Sequence, residues 1–337
     1  MVFWTVSDKN VAVIRCNMKA VILAGGHATR LWPITKHRAK PLLPLGERPI
    51  IDYMVSEIQQ EADDVIISTN AKFAEDFEDY IEEYDRSARV VVEEQDSEEE
   101  KPGTIGAILK LIDQEGLDDD LLIVGGDNYF GFDFGDLFDF CTEKKAPVNV
   151  VYDVDDMELA QHFGIVDAEG DRISGFEEKP DNPPSTLAST ACYYFPQEHV
   201  SLFNEYEDHF RQTDVPKEQY LDEPGRLIEW AHEKTPMFAF SFSGEWHDVG
   251  TPKGYREATA AVVDGNMLKG DLVDCRVGEN VVVMEGAKLE DVAIENSIVF
   301  PEAIITDSEI KESIIDEKAR IANMDLNGAI IGSHTTL

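Results

Sequence analysis

The chain has 337 residues, with 68 Asp+Glu against 29 Lys+Arg for a formal net charge of −39, 43% apolar residues and four tryptophans. That length accommodates one large domain with a smaller one, and that apolar share builds a core, which excludes a disordered acidic chain. Negative charge spread this evenly, as in residues 75–85 and 93–100, excludes nucleic acid as a general partner and fits a salt-rich cytoplasm, where screening relieves self-repulsion.

Residues 1–17 are expected to lie outside the fold, as a disordered tail or a mis-called start. Their one apolar patch is broken by Asp8, Lys9 and Asn10, and they lack the basic start and cleavage site of a signal peptide. From Met18 onward strands and helices alternate. Residues 19–25 read as a buried parallel strand, and Ile50, Ile51, Met54, Val55 and Ile58 recur at helical spacing. A strand at 64–69 follows, then a second amphipathic helix marked by Phe73, Phe77, Tyr80, Ile81 and Tyr84. A strand at 89–94, a helix around Ile105–Ile112 and a strand at 120–128 continue the pattern, which predicts an α/β domain with a mostly parallel sheet. Ligands of such sheets bind beyond the carboxyl ends of the strands, which is where Gly25-Gly26 falls. After about residue 148 the chain becomes richer in strands, and a last helix near 252–264 ends at Asp264-Gly265.

An internal repeat follows. Ile294, Ile310 and Leu326 stand sixteen residues apart, as do Ile298, Ile314 and Ile330, then Val299, Ile315 and Ile331, then Ile305, Ile321 and Leu337. Val277 and Val283 mark an earlier coil of longer spacing. Short β-branched clusters at a fixed interval predict a β-solenoid whose coils stack on one another and on the preceding domain. Open strand edges at the end of the stack predict a homo-oligomer assembled partly through residues 266–337.

Cys16, Cys141, Cys192 and Cys275 lie far apart without metal-ligand spacing and read as isolated reduced thiols. No apolar run approaches the ~20 residues a membrane helix needs, so no membrane partner is expected. The expectation is a cytoplasmic protein.

Chemistry gathers just after the first strand. A strand, a glycine turn and a helix present backbone N–H groups to phosphate, and here Arg30, Lys36, His37, Arg38 and Lys40 crowd in behind the turn of a very acidic chain. The stretch is neither a G-x-G-x-x-G fingerprint nor a Walker A loop.

The blocks "LAGGHATRLWP", "AKPLLP", "PGTIGA", "GGDN", "FGIV", "FEEKP", "ASTACYYF" and "WHDVGTP" fall in order over roughly residues 18–265 and resemble the sugar-1-phosphate nucleotidyltransferases, the NDP-sugar pyrophosphorylases. The nearest patterns are the glucose-1-phosphate thymidylyl- and uridylyltransferases that carry a C-terminal β-helix. The resemblance implies a Rossmann-like domain at 18–265, a short left-handed β-helix at 266–337, and transfer of a nucleotidyl group from dTTP or UTP to glucose 1-phosphate. It places Arg30 on the β- and γ-phosphates with Lys40 beside it. Leu23, Ala24, Gly25, Gly26, Gly103 and Thr104 fall on the nucleotide, and Glu94 or Gln95 is a base reader. Asn128, Gly164, Glu178, Lys179 and Thr190 fall on the sugar phosphate, and Asp127 and Asp248 on Mg²⁺. Lys36, His37 and Arg38 match no essential position and are expected on the rim.

Two departures stand out. Lys40-Pro41 replaces Lys-Gln of the thymidylyltransferases, and Ala191 replaces a glycine after Thr190. The alternatives are mannose-1-phosphate guanylyl transfer and a non-catalytic regulator on the same fold. An acyltransferase relying on His334, or an NAD enzyme lacking its glycine fingerprint, fits less well. The family places nucleotidyl transfer away from the solenoid, which serves assembly or regulation.

Overall fold

The structure, a computed structural model, describes residues 17–26, 28–93 and 103–337. Glu94, Gln95, Cys16 and nearly all of the 1–17 extension lie outside the described residues.

The first half is a parallel sheet. Strand β1 (Met18–Leu23) leads through the ribbon β2 (Pro44–Leu45) and β3 (Arg48–Pro49) to helix α1 (Ile50–Glu61), then β4 (Asp64–Asn70), α2 (Ala74–Glu83), β5 (Arg89–Glu93), α3 (Thr104–Glu115) and β6 (Asp120–Gly125). These strands lie in the order β5-β4-β1-β6, all parallel. β1 reads as a continuous apolar run because both of its faces are covered. Val21 joins a core with Ile105, Ile108 and Ile112 of α3. Ala20 and Ile22 join another with Ile51, Met54, Val55 and Ile58 of α1 and Phe77 of α2.

The second half is mixed. Strand β7 (Asn128–Phe130), α4 (Phe134–Lys144), β8 (Val148–Asp153), α5 (Met157–Ala160), β9 (Gly164–Glu169), β10 (Arg172–Glu178) and β11 (Leu187–Phe195) precede three helices, α6 (Leu202–Phe210), α7 (Lys217–Asp222) and α8 (Pro224–Ala231). β12 (Phe238–Ser241), β13 (Trp246–Asp248) and α9 (Pro252–Val263) complete the unit. The full order is β5-β4-β1-β6-β11-β8-β12-β10-β9, and β11 runs antiparallel to both β6 and β8. β7 and β13 form a separate two-stranded ribbon beside the sheet's carboxyl edge. Sequence reasoning passed over α6–α8, whose periodic pattern is cut short by Pro216 and Pro224. They nonetheless cover one core face with Phe203, Tyr206, Leu227 and Ile228.

From Met267 the chain coils. One parallel sheet stacks Met267–Leu268, Val281–Val283, Ser297–Val299, Ile314–Ile315 and Ile330–Ile331. The partners Ile298, Ile314 and Ile330 keep the sixteen-residue step, as do Ile294, Ile310 and Leu326. Val277 pairs with Ile294 seventeen residues on, a longer step as expected, whereas Val283 pairs with Val299 at sixteen, so that part of the expectation is corrected. Corners are turned by residues in the left-handed region, several of them Asp or Asn, including Asp291, Asn296, Asp307 and Asn323. A serine ladder at the same step adds polar registration: Ser313 N donates to Ser297 Oγ at 3.0 Å, and Ala329 N to Ser313 Oγ at 3.1 Å.

Ile310 is fully buried in the solenoid core, whereas Val273 is 53% exposed. Ile310→Ala should therefore lower unfolding free energy by about 2–5 kcal/mol, and Val273→Ala by no more than about 0.5 kcal/mol, both read from urea midpoints. Equal effects would mean that the aliphatic rows do not form the core.

Candidate active site

The loop after β1 is fastened on three sides. Ala24 N donates to Ser68 O at 2.7 Å, Gly126 N donates to Leu23 O at 2.9 Å, and Asn70 Nδ2 donates to Gly25 O at 2.9 Å. A Cβ on Gly25 would lie 2.5 Å from Glu93 Oε1, so a side chain there would displace that carboxylate from the turn. Ala28, in the left-handed region, opens a short 3₁₀ turn at Thr29–Leu31. The turn buries Leu31 and leaves Arg30 exposed at the cleft, with no ion pair among the described residues.

Lys40 opens a second 3₁₀ turn, Lys40–Leu42, and its Nζ pairs with Asp127 Oδ2. Asp127 sits in the turn between β6 and β7. Asp248 ends β13, whose pairing with β7 sets it opposite Asn128, and Val249 N donates to Asp127 O at 3.1 Å. Thus residues 121 positions apart in sequence share one wall. Asp248 is open to the cleft on one side. The protein around its other sides, and then the charge of Asp127, push its carboxyl above the usual carboxylate range, while Lys40 and Arg30 pull it back. Among the described residues no group of three or more His, Cys, Asp or Glu gathers as a metal cluster. Two hard oxygen donors crowded by like charge match the chemistry of a divalent cation.

Asn128, expected at the sugar phosphate, lines the cleft, and its amide is hydrogen-bonded within the wall. It is buried, its Oδ1 accepts from Trp246 Nε1 at 2.9 Å, and its Nδ2 donates to Asp127 Oδ1 at 3.1 Å and Gly125 O at 3.2 Å. Its amide is committed to orienting Asp127.

Two cavities meet at Asp127 and Ala191. The first, about 330 Å³, is lined by Leu23, Gly25, Gly26, Gly103 and Thr104, with Glu93 and Tyr193. Ala24 is buried just behind the glycine turn. Gly103 has φ 73°, and a Cβ there would lie 2.5 Å from Leu221 O of α7. It caps α3, whose first turn receives no side-chain cap among the described residues. The second cavity, about 970 Å³, is lined by Arg30, Asn128, Gly164, Glu178, Lys179, Thr190, Trp246 and Asp248. Glu178 is pressed against Gly164 and Gly225, where side chains would overlap its carboxylate, and it pairs with Lys179 Nζ at 3.4 Å. Thr190 Oγ1 donates to Val150 O at 2.9 Å and so ties β11 to β8.

Sequence reasoning missed Glu93, which accepts from Ser68 Oγ at 2.9 Å. Its place at the carboxyl end of a parallel strand was the available signal. It also missed Leu227 and Ile228 of α8, which line the first cavity and carried no signal. Lys36 and His37 are exposed, as expected of the rim. Arg38 is a correction: it reaches Asp316 and Glu317 of the solenoid.

Residues 19–265 match the nucleotidyl transferase family model. The chain is 31% identical over 255 residues to the glucose-1-phosphate adenylyltransferase of Bacillus subtilis, covering 71% of this chain and 65% of that one. It is 25% identical over 291 residues to a Sulfolobus acidocaldarius protein described as a mannose-1-phosphate guanyltransferase, covering 82% and 76%. The UTP–glucose-1-phosphate uridylyltransferase of Synechocystis is 24% identical over 292 residues, covering 82% and 72%. The match thus spans just under two thirds of the Bacillus subtilis relative's own length. A crystal structure described as a glucose-1-phosphate thymidylyltransferase from Bacillus anthracis, in complex with sucrose, superposes with TM-score 0.60 at 28% identity, over 72% of this chain and 94% of that one.

Ala191 has φ 56° within the bulge where β11 shifts register against β8. Ala191→Gly should relieve that left-handed strain and raise unfolding free energy by about 0.5–1 kcal/mol after the entropy gained by the unfolded chain. A lowered urea midpoint would refute the strained bulge. Trp246→Phe keeps the ring but strands the buried Asn128 Oδ1, and should cost about 1–3 kcal/mol in the same measurement.

Proposed function

This chain belongs to the nucleotidyl transferase family, and on that premise we propose that it transfers a nucleotidyl group from an NTP to a sugar 1-phosphate, giving an NDP-sugar and pyrophosphate. The observation that carries the reading is the meeting of two cavities at Asp127, with Lys40, Arg30 and Asp248 around the junction.

An oxygen of the sugar phosphate attacks the α-phosphorus in line. The new O–P bond forms as the bond to the β-phosphate oxygen breaks, and pyrophosphate leaves with that electron pair. Arg30, exposed and without an ion pair among the described residues, meets the negative charge that grows on the leaving phosphates. Lys40 neutralises Asp127 and stands ready to turn to phosphate. The glycine turn and the start of α3 let backbone approach the nucleotide. Glu178 accepts from sugar hydroxyls and Lys179 meets the sugar phosphate. Asp127, oriented by Asn128, and Asp248 would hold Mg²⁺, which supplies charge neutralisation across the phosphates.

For the base and sugar, the reading keeps dTTP or UTP with glucose 1-phosphate. Mannose-1-phosphate guanylyl transfer is the second reading, favoured by Pro41 in place of glutamine and by the Sulfolobus acidocaldarius relative. A silent regulator fits less well, because Arg30, Lys40, Asp127, Lys179 and Asp248 are all retained at the two cavities. We further propose a cytoplasmic homo-oligomer of a halophilic cell.

Pyrophosphate release should be assayed over a matrix of NTPs and hexose 1-phosphates in molar KCl. Activity should require Mg²⁺ and disappear with EDTA. Arg30→Ala and Asp127→Ala should each lose about a hundredfold or more in kcat/KM. Near-normal turnover in either variant would overturn the assignment and favour the regulator.

A further inference from the structure

The segment from Gly26 to Leu45 carries Arg30 and Lys40, yet among its described residues the only regular structure is two 3₁₀ turns and one strand of a two-stranded ribbon. Its position is set by what it packs on. Leu31, Ile34, Leu43 and Leu45 are buried in a core shared with Val282, Met284, Ile298, Phe300 and Ile314 of the solenoid. Pro33 lies against Gly332, where a Cβ would come within 2.8 Å of its ring.

A charged contact closes this seam two residues before Lys40. Arg38 Nη1 donates to Asp316 Oδ1 at 3.4 Å, and Nη2 to Glu317 Oε2 at 3.3 Å. The Arg38 guanidinium also lies 5.2 Å from the Phe300 ring centroid. The Asp316 side chain is only 5% exposed, and its Oδ1 also accepts from Glu317 N at 2.8 Å. A buried carboxylate needs such partners, and no other ion pair reaches it among the described residues. Arg256, which reaches Glu312 at 3.6 Å, ties α9 to the same solenoid edge.

The two sides of the segment therefore do different work. One side presents Arg30 and Lys40 to the cleft, and the other presents Leu31, Ile34, Arg38 and Leu43 to the solenoid. We propose that the solenoid is a structural part of the transfer site, and that Arg38, latched to Asp316 and Glu317, is a positioning residue that sets Lys40 against Asp127. The kinetic side of this inference rests on the proposed nucleotidyl transfer; its structural side does not.

The test uses the full chain with five variants: Arg38→Ala, Arg38→Lys, Asp316→Asn, Lys40→Ala and the double variant Arg38→Ala with Lys40→Ala. Arg38→Ala and Asp316→Asn should lower kcat/KM for the NTP roughly tenfold to a hundredfold. In the Lys40→Ala background, adding Arg38→Ala should change the rate by less than about twofold, because the latch acts through Lys40. Arg38→Lys, which keeps one charge, should restore part of the loss. A merely structural latch would lower the urea midpoint and multiply the loss equally in both backgrounds, and that result would overturn the proposal. Hydrogen exchange supplies a readout without turnover: amides of residues 29–45 should exchange faster in Asp316→Asn while those of β4 and β6 stay unchanged. Wild-type inactivity with every NTP and sugar phosphate would refute the transfer reading alone. Unchanged exchange at 29–45 would refute the latch whatever the kinetics.

Discussion

Asp127 and Asp248 bring like charges to one wall of a cleft, in a chain whose net charge is already −39. Their repulsion is offset locally by Lys40 on Asp127 and, at longer range, by Arg30 and Lys40 acting on Asp248. Screening by salt relieves the surface, but it reaches poorly into a cleft walled by protein. The cations therefore have to be delivered by the fold. That requirement explains why basic residues, scarce elsewhere, crowd the segment that follows β1. It also explains why that segment is anchored so heavily despite having little regular structure.

The cleft is built from close approaches and strained corners. Gly25 leaves room for Glu93, Gly103 for the backbone of α7, and Gly164 with Gly225 for Glu178. Lys179 and Ala191 both adopt positive φ at the cleft wall. Such positions cost of order 1 kcal/mol or more each and persist because the surrounding sheet determines them. The antiparallel insertion of β11 between β6 and β8 supplies that rigidity. Its bulge sets Ala191 where the two cavities join.

Much of this was legible in the sequence because it repeats or alternates. The parallel half follows from strand–helix alternation, and the coil register from aliphatics at a sixteen-residue step. The blocks around Arg30, Asp127, Glu178 and Asp248 converge on one region, as their residue types suggest. What could not be read is direction. Nothing in "GDN" says that the Asn128 amide turns back on Asp127 and Trp246. Nothing in "KHRAK" separates Arg38, which faces the solenoid, from Lys40, which faces the cleft. Those choices depend on contacts 118 residues away for Asn128 and 278 for Arg38.

One pattern in the solenoid did encode such a contact. The doublets Ile298-Val299 and Ile314-Ile315 give each coil two neighbouring rows of aliphatics. Adjacent strand residues point to opposite faces. Val299 and Ile315 fill the interior of the coil, while Ile298 and Ile314 turn outward into the core shared with Leu31, Ile34 and Leu43. A solenoid whose outer face met water would place polar residues at the outward positions. Two neighbouring β-branched residues repeating at the coil period therefore imply a coil covered on that side. The cover here is the segment that carries Arg30 and Lys40. The repeat that stacks the coils on one another is thus also the surface on which the active-site loop is seated.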